Sequence, residues 1–138
     1  MRLVLDTNVV LKALIKDSVV RGILLHSEHE FLVPEHGLEE TRKHLGVVAI
    51  KSGLSVQEIG SVLDIVLAGV ETIPAAGASS KLREAEEAMS KIDPTDVPFV
   101  AAALSARCDG IWSDDKDLKR QDKVRVWTTK EVASLSRT

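Results

Sequence analysis

Short apolar runs alternate with amphipathic stretches along the chain, and this alternation predicts an α/β protein. Five apolar, mostly β-branched or aromatic runs are predicted to be strands: residues 2–5, 30–33, 70–73, 111–113 and 124–127. The run at 2–5 shows no apolar–polar alternation, which is typical of a strand buried on both faces of a parallel sheet. Strands separated by helices therefore predict a mostly parallel five-stranded sheet that is covered on both faces.

Helical spacing of apolar positions fills the segments between the strands. We predict helices at residues 9–15, 19–27, 34–48, 55–68 and 81–91, with two more starting at Thr95 and Thr129 as N-caps. Ser55 and Glu58 have the spacing of a capping box. Pro98 lacks an N–H and fits only in a first helical turn, so its helix cannot begin much before Thr95. Residues 74–80 (PAAGASS) are predicted to be a loop.

Acidic residues follow two of the predicted strands. Asp6 comes directly after the first strand, and Asp115 lies in the acidic turn after the fourth. In parallel sheets, ligands bind outside the carboxyl ends of the strands, so both residues are expected at the binding edge. Asp93 and Asp96 precede an apolar helix that leads back to that fourth strand. The pair Asp93 and Asp96 and the acidic turn at Asp115 are therefore expected to lie close together and to face Asp6.

Carboxylates that gather at one edge repel one another, and a divalent cation removes that repulsion. Mg²⁺ and Mn²⁺ prefer oxygen ligands, keep several waters and bind substrate phosphates. Such an ion activates water and stabilises charge in phosphodiester hydrolysis. The acidic residues therefore indicate a Mg²⁺- or Mn²⁺-dependent hydrolase. Each residue also has a structural interpretation: Asp6 could merely cap a helix, and Asp115 and Asp117 could be ordinary turn residues.

Length and composition indicate the number of domains and the cellular compartment. A length of 138 residues is typical of one domain, so residues 1–138 are expected to form a single unit. The net charge of −3 argues against a basic coat, although Lys and Arg outnumber acidic residues after position 116. No apolar run approaches the length of a membrane helix, and no membrane association is expected. The single cysteine, Cys108, suits a reducing compartment, so a cytoplasmic location is expected.

Four segments of the sequence together resemble a known family. They are LVLDTNVV at 3–10, LEETRKHL at 38–45, DPTDVPFVAAAL at 93–104 and IWSDDKDL at 111–118. In order and spacing they are similar to PIN-domain nucleases, and the similarity covers nearly the whole chain. The resemblance implies a three-layer α/β/α fold and a metal-dependent endoribonuclease. It also suggests a VapC-like toxin that is paired with an antitoxin protein.

The resemblance assigns roles to individual residues. Its acidic quartet falls on Asp6, Glu40, Asp96 and Asp115, and the implied metal ligands are Asp6, Asp96, Asp115 and Asp117. Glu40 is preferred because it follows the apolar Leu38 by two residues, with the adjacent Glu39 as the alternative. Supporting roles are implied for four further residues, which are Thr7, Asn8, Asp93 and Ser113.

Two further expectations concern partners. RNA phosphates are expected to contact basic residues after the acidic turn, namely Lys116, Lys119, Arg120 and Lys123. The helices at 9–27 and 55–68 carry apolar residues on more than one face. A helix that is apolar around much of its circumference is buried on both sides or paired with another chain. A homodimer is therefore expected, as the resemblance also suggests.

Competing functions have weaker support in the sequence. A PIN fold that binds RNA or protein without cleavage is the main alternative, but it gives no reason to keep five repelling carboxylates. A receiver-like phosphoryl acceptor would need a Lys at a later strand end, and residues 124–127 offer none. The four histidines (His26, His29, His36 and His44) lack zinc-site spacing and are interpreted as surface residues.

Overall fold

The computed structural model describes residues 1–16 and 18–136. Five parallel strands form one sheet in the order β3-β2-β1-β4-β5. The strands are β1 (Arg2–Leu5), β2 (Glu30–Pro34), β3 (Glu71–Ile73), β4 (Gly110–Trp112) and β5 (Val126–Trp127). The helices are α1 (Thr7–Ala13), α2 (Val19–His26), α3 (Glu35–Lys43), α4 (Leu45–Ser52), α5 (Val56–Val66), α6 (Ala75–Ala78), α7 (Leu82–Met89), α8 (Val97–Ser105) and α9 (Thr129–Leu135). The predicted parallel sheet is confirmed.

Successive residues of the central strands β1 and β4 pack into two apolar cores on opposite faces of the sheet. On β1, Leu3 and Leu5 pack into a core with helices α1, α2, α4, α5 and α9. Val4 faces the other way and packs with α6, α7 and α8. On β4, Trp112 joins the first core and Ile111 joins the second. This division makes the three-layer α/β/α arrangement, which is also as predicted.

Helix boundaries follow local chemistry at several points. Ser55 and Glu58 form both hydrogen bonds of the capping box that the sequence predicts for α5. Gly53 ends α4 in the left-handed conformation, with φ of 68°. At the start of β4, Gly110 has φ of 138°, and a Cβ there would lie 2.2 Å from the Arg125 carbonyl oxygen. Only glycine allows β4 and the chain before β5 to approach so closely.

The predicted helix at 34–48 is wrong, because two helices occupy that region. Pro34 ends β2, α3 ends at Lys43, and α4 begins at Leu45. At the junction, Nδ1 of His44 lies 2.8 Å from the Glu40 carbonyl oxygen, and the His44 N–H bonds the Thr41 carbonyl. The His44 ring therefore contacts the Glu40 carbonyl, which the His44 N–H would bond in a continuing α-helix. The N–H bonds the Thr41 carbonyl instead, so the last turn tightens and α3 ends.

Three smaller predictions are also wrong. Residues 74–80 are not a loop: α6 and a 3₁₀ turn at Ser79–Lys81 occupy them, because alanine favours helix and Pro74 precedes the first turn. Thr95 is not an N-cap, since it lies in a 3₁₀ turn at Pro94–Asp96 whose cap is Asp93. Thr128, not Thr129, caps α9. Pro98 does lie in the first turn of α8, as its missing N–H requires.

None of the helices in the part of the chain described here is long and apolar enough to cross a membrane.

Candidate functional site

Asp6 is buried at the carboxyl end of β1. Its side chain is 4% exposed, and Ser113 donates a hydrogen bond from Oγ to Oδ2 over 2.7 Å. Asp6 stands at the N-cap position of α1, but its carboxylate makes no capping hydrogen bond. The interpretation of Asp6 as a simple helix cap therefore fails. Its carboxylate is held instead by the residue that follows β4, the neighbouring strand in the sheet.

The turn after β4 directs two adjacent aspartates to different places. The Asp115 N–H donates to Oγ of Ser113 over 3.0 Å, and Asp115 Oδ1 accepts from the Asp117 N–H over 2.8 Å. Asp114 instead accepts from the N–H and Oγ1 of Thr129, over 2.8 and 2.6 Å, and from Lys12. Asp114 thus anchors the start of α9, whereas Asp115 remains with the acidic edge.

Asp96 lies before α8 and completes a group of three carboxylates. One oxygen of each of Asp93, Asp96 and Asp115 lies within 4.8 Å of the other two. Asp96 is 7% exposed, and its buried Oδ2 has no hydrogen-bond partner among the described residues. Asp93 is oriented by the N–H and Oγ1 of Thr95, at 3.0 and 2.6 Å. A buried carboxylate oxygen without a donor is costly unless a cation completes it.

Glu40 approaches the same edge from α3. Its Oε2 accepts from Thr7 Oγ1 over 3.2 Å, and its Oε1 lies 2.5 Å from Nε2 of His36. The adjacent Glu39 is exposed and has no such contact among the described residues. The close approach of α3 to α8 depends on Gly37, because a Cβ there would lie 3.1 Å from Cε1 of Phe99.

Burial and like charges shift the pKa values of the clustered acids upward. Burial is the largest cause for Asp96, and the charges of Asp6, Asp93, Asp115 and Asp117 add to it, raising its pKa to about 7. Burial likewise raises the pKa of Asp6, against the opposing Ser113 hydrogen bond, and Asp115 and Glu40 raise it further. The carboxylates of Asp6, Asp96 and Asp115 thus influence one another's charge, as is expected of residues in one site.

The carboxylates fit a hard divalent cation. The donor set is all oxygen, and the unpartnered Oδ2 of Asp96 supplies a ligand atom that no protein group satisfies in the described part of the chain. Asp93, expected only as a supporting residue, belongs to the close trio. Asp6 and Asp117 lie outside that trio, although their charges act on Asp96.

The remaining predicted residues occupy different surroundings. Asn8 is exposed and lines a groove of about 590 Å³ between α1 and α4 that reaches Asp115. Lys116 is exposed, Lys119 lies 4.0 Å from Glu131, and Arg120 lies 3.7 Å from Asp117. Lys123 reaches away to Glu87 on α7, at 3.5 Å. The basic residues therefore flank the acidic turn, but three of them already have acidic neighbours.

Sequence reasoning missed one neighbour of the site. His36, predicted to be a surface residue without a role, contacts the Glu40 carboxylate. The signal in the sequence is the spacing of four residues within one predicted helix, which brings two side chains together on one face. That spacing is common on solvated helices, so it does not distinguish His36 from the other histidines.

Comparisons with known proteins identify the family and the fold. A protein-family model described as PIN domain matches residues 4–136. No curated protein sequence matches the chain. A similar solved structure is the crystal structure of VapBC2 from Rickettsia felis bound to a DNA fragment from their promoter. It has 20% sequence identity and a TM-score of 0.71, and the match covers 93% of this chain and 98% of that one. At this identity, the structural likeness shows the fold alone.

The raised pKa of Asp96 predicts how stability depends on pH without divalent ions. Because its folded pKa of about 7 exceeds the ordinary 3.8, the folded state binds more protons than the unfolded chain between those values. Asp96 therefore destabilises the fold increasingly as pH rises through this range. Asp96→Asn should raise the free energy of unfolding near pH 7.5 by on the order of 2 kcal/mol, and much less near pH 4.5.

Urea unfolding in EDTA at several pH values measures this difference. Comparison with the variant matters, because the lowered pKa of His29, caused mainly by burial, gives an opposite slope that both proteins share. The lowered pKa values of Asp93, Asp114 and Glu131 act only at more acidic pH. A stability difference between wild type and Asp96→Asn that stays constant with pH would contradict the prediction.

Proposed function

The chain belongs to the PIN domain family, and on that basis we propose that it is a Mg²⁺- or Mn²⁺-dependent endoribonuclease. The observation that supports this proposal most directly is the buried carboxylate of Asp96, which lies beside Asp93 and Asp115 and keeps one oxygen without a partner among the described residues. Such an arrangement destabilises a metal-free protein, and a divalent cation makes it favourable. A role in hydrolysis of phosphodiester bonds explains why the arrangement exists.

The proposed ligands come from several elements that converge on one edge of the sheet. Asp96 and Asp115 hold the cation, with Asp6, Asp93 and Asp117 around them and Glu40 completing a second, weaker position. When bound, the cation supplies Lewis acidity and charge stabilisation for the reacting phosphate. Ser113 and Thr7 orient Asp6 and Glu40, respectively, through the hydrogen bonds described above. Asn8 is exposed and lines the groove that reaches Asp115, where it would contact the substrate.

The proposed reaction is hydrolysis of the bond between phosphorus and the 3′ oxygen of RNA. A water oxygen bonds to phosphorus as the bond to the 3′ oxygen breaks, and that oxygen leaves with a proton. The products then carry 5′-phosphate and 3′-hydroxyl ends. No side chain of the protein acts as the nucleophile in this scheme. The carboxylates would hold the cation, which would supply charge stabilisation for the phosphate.

The alternative function is a PIN domain that binds RNA or a protein partner without cleaving it. A protein of this kind gains nothing from a buried carboxylate that has acidic neighbours and one unsatisfied oxygen. Replacing such a residue by a neutral one would be selected for stability alone. The acidic edge therefore favours the nuclease over the binding module.

We further infer that the protein pairs with an antitoxin in the cytoplasm. The similar structure from Rickettsia felis is described as VapBC2, which supports a partner of this kind. The groove between α1 and α4 is lined by apolar side chains, among them Ile15 and Val47, which are 54% and 52% exposed. It opens beside Asp115, so a bound polypeptide would obstruct access to the acidic edge. Cys108, as a free thiol, suits the reducing cytoplasm.

Cleavage assays on purified protein test the enzymatic proposal. With Mn²⁺, RNA should be cut to products with 5′-phosphate ends, and EDTA should stop the reaction. Asp96→Asn should lower the rate at least about 100-fold while the fold is retained, since it removes a ligand from the proposed centre. Glu40→Gln should also lower it strongly, whereas Glu39→Gln, which alters an exposed neighbour, should cleave at the wild-type rate. Wild-type cleavage by Asp96→Asn would refute the assignment.

The basic residues beside the acidic turn are proposed to contact RNA phosphates. Replacing Lys119 and Arg120 by alanine should weaken binding to all RNA sequences. The slope of log binding constant against log salt should become shallower by about one unit for each phosphate that a basic side chain no longer neutralises. Arg107→Ala provides the control, because Arg107 is exposed just before β4, at the opposite edge of the sheet. An unchanged slope in the double variant would show that these residues do not bind phosphate.

A homodimer is proposed from apolar side chains that the helices leave at the surface. Ile50 is 84% exposed on α4, and Val56 and Ile65 are 53% and 62% exposed on α5. Exposed apolar residues on two adjacent helices are typical of a subunit interface. Light scattering at micromolar concentration should therefore give about twice the chain mass of 15.0 kDa, and Ile50→Glu should reduce it. A mass of one chain at all concentrations would exclude the dimer.

A further inference from the structure

The carboxylate of Glu40 is held from two directions. Thr7, at the start of α1, donates to Oε2 over 3.2 Å. On the other side, Nε2 of His36 lies 2.5 Å from Oε1, one helical turn earlier on α3. A carboxylate accepts hydrogen bonds, so we assign His36 the tautomer in which Nε2 carries the proton and donates. Each oxygen of Glu40 therefore has its own donor, and the two donors belong to different helices.

His36 is itself held by the helix that follows Asp96. Its ring packs edge-on against Phe99 of α8, with 6.2 Å between ring centroids and an angle of 75° between the planes. Phe99 is 1% exposed, so its ring is a fixed surface. Gly37, adjacent to His36, lets α3 approach this ring closely. The position of His36 thus depends on α8, which begins directly after Asp96.

Stability does not explain the contact between His36 and Glu40. Both side chains are partly exposed, at 43% and 30%, and exposed pairs four residues apart on a helix contribute little. Orientation is the larger effect, because a glutamate side chain has three rotatable bonds and samples many rotamers when free. Two donors on opposite sides restrict those rotamers. Glu40 accepts a hydrogen bond from Thr7, the residue that directly follows Asp6, so its orientation matters at the acidic edge.

We propose that His36 is a positioning residue that, together with Thr7, fixes the Glu40 carboxylate for divalent-cation binding. This inference rests on the proposed function, because it requires a cation at the acidic edge. His36 acts through Glu40, because its Nε2 contacts the Glu40 carboxylate. Replacing a side chain that orients a metal ligand generally lowers metal affinity by about 10- to 100-fold. The role is carried by a histidine because its ring can contact both Phe99 and the carboxylate.

Binding of Mn²⁺ to the RNA-free protein tests this role independently of cleavage. Free Mn²⁺ is followed by electron paramagnetic resonance during titration. His36→Ala should weaken Mn²⁺ binding at the second, weaker position about tenfold, while the position at Asp96 and Asp115 keeps its affinity. His36→Leu, which keeps an apolar side chain beside Phe99 but has no donor, should have the same effect. His36→Gln should restore most of the affinity, because an amide four residues from Glu40 can donate to its carboxylate.

Two controls separate orientation from a general structural effect. His26→Ala removes an exposed histidine at the end of α2, a helix that carries none of the proposed site residues, and it should bind Mn²⁺ as the wild type does. In a Glu40→Gln background, His36→Ala should cause no further loss of affinity, because His36 acts through Glu40. Thermal unfolding followed by circular dichroism establishes that each variant is folded.

The outcomes distinguish this inference from the proposed function. If the wild type binds Mn²⁺ and the two donorless variants bind it equally well, the role of His36 is refuted while the metal site stands. Equal losses of affinity in His36→Gln and His36→Ala, or additive losses with Glu40→Gln, refute it as well. If the wild type binds no Mn²⁺, the proposed function fails and the role of His36 fails with it.

Discussion

Carboxylates gathered at one edge of the sheet repel one another, and the surrounding elements hold them in place against that repulsion. Asp96 is buried beside other aspartates, and burial and their charges both raise its pKa. One of its carboxylate oxygens has no hydrogen-bond donor among the described residues. A free chain would separate such groups or protonate them. The fold keeps them together because the apolar cores on both faces of the sheet supply far more stabilisation than this repulsion costs.

Rigid elements bring these acids to one place. β1 and β4 are adjacent and parallel, so Asp6 and the turn containing Asp115 emerge side by side. α8 returns towards the start of β4, which leaves Asp96 at the same edge. Asp114 fastens the turn to the start of α9 through Thr129, and the buried Trp112 donates to the same threonine. Asp114 therefore stabilises the fold, whereas its neighbour Asp115 belongs to the acidic edge.

The hydrogen bonds around the acids show how their positions are specified. Ser113 holds Asp6, Thr95 holds Asp93, and Thr7 and His36 hold Glu40. These donors are short polar side chains or a histidine wedged against an apolar ring. Hydrogen bonds of this kind contribute modestly to stability, but they remove rotameric freedom from groups that repel one another. A cation site assembled from such restrained ligands loses less entropy on binding, which is the physical advantage of restraining them.

The fold class and the acidic edge follow from the pattern of residues along the chain. Uninterrupted apolar strands such as 2–5 predicted a parallel sheet, and residues directly after parallel strands must lie at one edge, which located Asp6 and Asp115. Local chemistry also predicted the capping box at Ser55 and the place of Pro98 in a first turn.

Interactions between distant segments lay beyond the sequence pattern. The packing of α3 on α8 decided that Glu40 rather than Glu39 faces Thr7, and it brought His36 onto Phe99. Tertiary structure also turned Asp114 towards α9 and placed Asp93, expected only in a supporting role, in the close trio. The periodicity of apolar residues indicates which face of a helix or strand is buried. The direction of a side chain within a turn depends instead on hydrogen-bond donors from other elements. Those donors come within reach only when the chain folds.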